Sequence, residues 1–151
     1  MTIKKEAYDN CPAELRDRLK LEEMCLHPER YKDTVVIHRG RNIVLLYTDP
    51  ATGRKYVVKN FKKPNLAQRI AYTWFTPGKA RRAFKYASML RSRGISTPRE
   101  TAYIEVYEHG LLSQSYFVCE YCPWPSLASL WLPSKPYDIA QLETVAQLSL
   151  I

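Results

Sequence analysis

The order in which segments of this chain favour sheet or helix is the feature that most constrains its fold. Three runs rich in β-branched and aromatic residues come first: Thr34-Val35-Val36-Ile37, Ile43-Val44-Leu45-Leu46-Tyr47 and Lys55-Tyr56-Val57-Val58-Lys59. Asp49-Pro50-Ala51-Thr52-Gly53 separates the second run from the third with turn chemistry, so these two should pair antiparallel. A helical stretch from Asn65 to Gly94 follows, interrupted at Thr76-Pro77-Gly78. Two more runs, Ala102–Tyr107 and Ser115–Glu120, flank Glu108-His109-Gly110-Leu111 and read as a second hairpin. Three strands, one helical segment and two strands predict an α+β domain with a five-stranded antiparallel sheet and a helix packed on it.

The second half of the helical stretch shows why it should pack. Ala80, Phe84, Ala87 and Leu90 recur at three- and four-residue spacing and make one apolar face. Lys79, Arg81, Arg82, Lys85, Arg91 and Arg93 occupy most of the remainder. Gly94 is placed to end the helix, and Pro98 prevents its resumption. On the N-terminal side, residues 1–30 predict a helical leader: Asn10-Cys11-Pro12 offers a start signal, and Leu15, Leu19 and Leu26 follow at helical spacing. On the other side, Cys122-Pro123-Trp124-Pro125 is an extended connector. Short helices over Ser126–Trp131 and Ile139–Ile151 follow, the latter capped by Asp138. The expected division is therefore 1–30, 31–121 and 122–151.

At 151 residues the chain is long enough to bury a core. No apolar run approaches the roughly 20 residues that span a bilayer. The Met-Thr-Ile-Lys-Lys-Glu start is no signal peptide, and a cytoplasmic protein is expected. The net charge of +8 favours an anionic partner: nucleic acid, phosphorylated glycan, nucleotide or membrane surface. Cys119-Glu120-Tyr121-Cys122 has the spacing of a zinc or redox pair. Cys11 and Cys25 do not supply a second zinc pair, and a strand with Pro123 behind it is no place for a redox motif that opens a helix. Buried or half-buried thiols are expected, and His27, His38 and His109 are too scattered to complete a metal site.

Taken in order, several segments resemble the small, nucleotide-holding lobe of the bacterial lipopolysaccharide-core kinases, the Kdo/WaaP type of protein-kinase-like fold. They are Arg41-Asn42, Val57-Val58-Lys59-Asn60-Phe61-Lys62-Lys63-Pro64-Asn65, Lys79-Ala80-x-Arg82-x-Phe84-x-x-Ala87, Gly94-Ile95-Ser96-Thr97-Pro98 and Glu120-Tyr121-Cys122-Pro123. The resemblance spans residues 30–150 and implies a phosphotransferase that uses ATP. Lys59 would contact the nucleotide phosphates, Gly40 would lie in the phosphate-covering turn, and Val118 would form the back of the pocket. The backbone of Glu120 to Cys122 would be the hinge that meets the adenine edge. The implied acceptor is a sugar of lipopolysaccharide core or another phosphorylated glycan, with peripheral contact at an anionic inner-membrane surface.

The chain also departs from that pattern. The phosphate-covering turn has a single glycine, Gly40, in His38-Arg39-Gly40-Arg41-Asn42. No glutamate lies between Lys79 and Arg93 to orient Lys59. Ala83 stands near that position, and Glu100 follows only after the helix. No His-x-Asp loop or metal-binding aspartate follows Ile139–Ile151, so no catalytic residue or metal ligand is assigned, and Mg²⁺ is expected only with a large lobe. The expectation is a truncated chain inactive by itself. The alternatives are a pseudokinase scaffold or a non-catalytic basic module for nucleic acid or an anionic surface, in which eleven tyrosines and three tryptophans would supply stacking.

Overall fold

The computed structural model describes residues 2–6, 23, 27, 30 and 34–123. The chain divides into two compact units at Tyr121/Cys122, and of the second unit only Cys122 and Pro123 are described. The helices expected over Ser126–Trp131 and Ile139–Ile151 lie outside the described residues, as do Cys11, Cys25 and most of the leader. Within the leader, Glu23 is helical and the His27 N–H donates to its carbonyl at 2.8 Å.

The expected five strands are all present: β2 (Thr34–Arg39), β3 (Ile43–Thr48), β4 (Lys55–Phe61), β5 (Glu100–Glu108) and β6 (Leu111–Glu120). A sixth, β1 (Thr2–Glu6), precedes the helical start expected at Asn10-Cys11-Pro12, so the first residues of the expected leader are strand and not helix. Its Thr-Ile-Lys-Lys-Glu sequence has no helical apolar stripe, and the edge of β5 offers it a ladder, with Thr2 opposite Tyr107 and Glu6 opposite Tyr103. The strand order is β1-β5-β6-β4-β3-β2, every pair antiparallel. β4 therefore lies inside the sheet, bonded to β3 on one side and to β6 on the other.

Turn residues set these pairings. Asp49 is almost fully buried, its carboxylate accepting from the Ala51 N–H at 3.1 Å and from the Thr52 hydroxyl, which holds the β3–β4 turn. The β5–β6 turn is tighter than expected, only His109-Gly110, both at positive φ, so Glu108 and Leu111 join the strands. Bulges displace Thr101 and Ser113 from the β5–β6 ladder.

One face of the sheet carries Leu45, Tyr47, Tyr56, Val58, Ala102, Ile104, Val106, Tyr116 and Val118, all buried in one cluster. The other face receives two helices, α1 (Leu66–Trp74) and α2 (Lys79–Ser92). α1 starts at Asn65, whose side chain accepts from the Gln68 N–H at 2.9 Å. The Thr76-Pro77-Gly78 break separates the helices where the sequence predicts it. α2 ends as expected at Gly94 (φ 79°): Ile95 N–H reaches the Leu90 carbonyl and Gly94 N–H that of Arg91, a Schellman closure.

Ala80, Phe84 and Ala87 turn inward from α2 as the periodicity requires, and Ala80 and Phe84 cluster with Tyr103, Phe61 and Phe117. The Phe84 and Tyr103 rings meet edge to face, centroids 5.5 Å apart. At the other end of this face Gly78 lies against Glu105 and Leu112 so closely that a Cβ would collide with the Glu105 carboxylate. The start of α2 favours a carboxylate there through the helix dipole. Glu105 is buried, and its Oε2 accepts from the Tyr107 hydroxyl at 3.1 Å.

α1 is held differently, by polar groups. Arg69 donates to the carbonyls of Leu112 (2.9 Å) and Glu108 (3.3 Å), and the Thr73 hydroxyl accepts from the Leu112 N–H at 3.0 Å. Beside them Glu108 accepts from Lys63 (3.3 Å) and the Ser113 hydroxyl (3.1 Å). Lys63, with help from Ser113 and Arg69, holds the Glu108 carboxyl below the usual glutamate range.

Two outcomes follow from this packing. Phe84→Ala should cost about 3–5 kcal/mol in a urea unfolding titration, because the ring fills the joint between α2 and the sheet. Glu108 stabilises the fold only while ionised. Its contribution is present above the ordinary glutamate range and is lost as pH falls through the lowered folded value. Glu108→Gln should therefore melt below the wild type at neutral pH, and the two melting curves should converge in acid.

Candidate functional site

Strand alternation and register decide what Lys59 can meet. Lys59 is opposite Val44 on β3 and Phe117 on β6, and residues opposite one another share a face. Phe117 and Phe61 pack against α2, so Lys59 is on the helix-bearing face. α2 lies over β5 and β6, with Phe61 of β4 at its edge, and the β3–β4 part of that face continues beside it. There the rows Val44–Lys59 and Leu46–Val57 form a half-buried shelf, with Cys119 continuing the second row across β6. The Lys59 ammonium lies 5.3 Å from the centre of the Phe61 ring.

The two ends of the shelf differ. Beyond Lys59 lies the β2–β3 turn. Gly40 N–H donates to the Asn42 carbonyl at 3.1 Å, and the Asn42 side chain accepts from the Lys62 N–H at 3.1 Å, fixing the turn to the exit of β4. Arg39, Arg41 and Lys62 are exposed around it. At the other end Tyr56 is opposite Glu120, and the Tyr121 N–H donates to the Lys55 carbonyl at 2.9 Å. Lys59 is three residues along β4 from Tyr56, about 10 Å at strand spacing. An apolar floor thus lies at the end where β6 leaves the sheet, and a cation lies towards the basic turn.

Of the predicted site residues, the structure gathers Lys59 and Gly40 at one end of β4 and Glu120 at the other. The Glu120 N–H donates to the Arg99 carbonyl at 2.9 Å, so the hydrogens of Glu120 and Tyr121 are committed to the sheet and do not serve a base edge. Cys122 is half-buried and opens the second unit. Val118 is not on the shelf. It is opposite Val58 on the far face and fully buried in the other cluster. The residue on the Lys59 face is its neighbour Cys119, 8% exposed. Neither it nor Cys122 is in a disulfide.

Leu46, Val57, Val44 and Cys119 were not placed beside Lys59 from sequence. Alternation from Lys59 places Val57 on its face, but Leu46 and Cys119 need the cross-strand register. Glu100, the nearest downstream acid in sequence, does not serve Lys59: its buried carboxylate accepts from Arg91 at 3.0 Å, tying the last turn of α2 to β5. Among the described residues no carboxylate lies within ion-pair distance of Lys59, and no group of three or more His, Cys, Asp or Glu side chains could hold a metal ion. No family model matches this chain, and no curated protein or solved structure matches it either.

Removing Arg91 leaves a buried carboxylate short of a charged donor. Arg91→Ala should cost about 2 kcal/mol, and Arg91→Ala with Glu100→Gln should cost less than the sum of the two single changes. A thermodynamic cycle on chemical unfolding measures both.

Proposed function

We propose that residues 34–121 hold ATP as the small lobe of a phosphotransferase of the lipopolysaccharide-core kinase type. The supporting observation is the shelf. Half-buried Leu46 and Val57 suit the faces of a base, and Lys59 on the same face suits the phosphates. An ammonium on an interior strand has its position set by ladders on both sides, which is what a group that neutralises phosphate charge requires. The Gly40 turn at that end carries exposed Arg41, whose side chain takes the place of the bare backbone of a glycine-rich loop.

When bound, ATP supplies the phosphoryl group to be transferred, here to a sugar hydroxyl. Lys59 and the basic turn orient the phosphates, and Leu46 and Val57 exclude water from the base. The described residues offer no carboxylate set for Mg²⁺ beside Lys59, so on this reading metal binding and acceptor activation belong to a large lobe. The alternative nucleic-acid module is less well supported. Tyr47, Tyr56, Tyr103 and Tyr116 are at most 4% exposed and act as core residues, not as stacking platforms.

The test is titration of the whole chain with a fluorescent ATP analogue. Saturable binding that ATP displaces is expected, with affinity falling about tenfold or more in Lys59→Met as a charged contact is lost. Lys85→Met, an exposed charge on α2, should leave it unchanged. Absence of binding, or equal loss in both variants, would reject the proposal.

A further inference from the structure

A cavity of about 250 Å³ lies where α1 gives way to α2, against β5. It is separate from the Lys59 shelf, which is built on β3 and β4. Alternation puts Tyr103, Glu105 and Tyr107 on one face of β5, and Tyr103 packs against α2, so this is the helix-bearing face. Trp74 and Phe75, at the end of α1, and Arg81, in the first turn of α2, also line the cavity. Sites for drug-sized molecules run to roughly 300–1,000 Å³, so the occupant of this one is small.

Two observations point to a ligand. Glu105 is 5% exposed, and glutamate is a residue that folded chains seldom bury. Its place at the start of α2 accounts for a carboxylate there, but a carboxylate that serves only the helix needs no cavity beside it. Trp74 and Phe75 are 66% and 80% exposed, although large aromatic side chains gain from burial. A buried charge and exposed rings around one cavity invert the usual placement of both. That inversion suits a site that takes a polar group inside and an apolar group at its mouth.

Charge narrows the class of occupant. The lining carries one group of each sign, Glu105 and Arg81. A simple cation is attracted by one and repelled by the other, and so is a simple anion. A molecule that carries both charges suits both groups. The Arg81 guanidinium offers a planar fork to a carboxylate. A carboxylate has about four acceptor sites, so Glu105 can hold an ammonium together with the Tyr107 hydroxyl, which donates to its Oε2 at 3.1 Å. Aromatic rings beside the acid attract an ammonium through their faces and give an apolar side chain a surface to rest on.

We propose that this cavity binds a free α-amino acid with an aromatic or large apolar side chain. Its ammonium meets Glu105, its carboxylate meets Arg81, and its side chain rests against Trp74 and Phe75. The inference does not depend on the nucleotide reading.

The experiment is calorimetric titration of the full chain with three probes of similar size. They are L-phenylalanine, phenethylamine, which lacks the carboxylate, and 3-phenylpropionate, which lacks the ammonium. Saturable binding of L-phenylalanine is expected, with each singly charged probe weaker by about tenfold or more. Arg81→Met, at an exposed position, should bring L-phenylalanine down to the level of phenethylamine and leave phenethylamine no weaker. Trp74→Ala should weaken all three probes, and Lys85→Met should leave all three unchanged. Glu105→Gln should weaken L-phenylalanine about tenfold. Should that buried variant fail to fold, the comparison of probes in Arg81→Met still decides. Equal affinity for L-phenylalanine and phenethylamine would mean a site for cations and overturn the proposal. So would an absence of saturable binding, or L-phenylalanine binding that Arg81→Met leaves intact.

Discussion

Antiparallel pairing of β4 with both β3 and β6 is the constraint on which the rest of this structure depends. It places a strand from the first half of the chain beside the last strand of the sheet, and the α1–α2 segment must pass across one face to allow it. That crossing sets α2 over β5 and β6, beside the half-buried rows of β3 and β4. Lys59 owes its setting to this arrangement: its neighbours on either side are Val44 and Phe117, residues far apart in sequence. A slip of β4 by one residue would send Lys59 into the cluster that now holds Val58 and Val118 and bring Val58 to the shelf.

Much of the fold was legible in the order of apolar runs and turns. Asp49 to Gly53, the α1–α2 break at Pro77 and the end of α2 at Gly94 are local decisions made by a few residues, and the structure follows them. Phe84 and Ala87 face inward because a helix has only one apolar side here. Edge pairing of Thr2–Glu6 was not legible, since a five-residue strand carries little pattern of its own and exists by virtue of the β5 edge it joins.

The site was legible in part. Lys59 could be chosen from its strand, but its companions could not, because they depend on register and not on local pattern. Val118 and Cys119 are adjacent in sequence and opposite in consequence. The fully buried valine serves the core and the cysteine serves the shelf, and only the pairing of Val57 with Cys119 distinguishes them. The missing helix carboxylate has a similar lesson. Glu100 is the first acid after Asp49, yet it is spent on Arg91.

That ion pair also bears on how the molecule can move. α2 is clasped at both ends, by Arg91 on Glu100 at its last turn and by the close seating of Gly78 on Glu105 and Leu112 at its first. A helix held only by its middle can rock on a sheet; one pinned at both ends travels with it as a single lever. The hairpin of β2 and β3 is held less, since its outer strand has ladder bonds on one side only and side chains mostly in water. The doubly paired interior of the sheet carries the lysine, and its singly paired outer hairpin carries the basic turn beyond it.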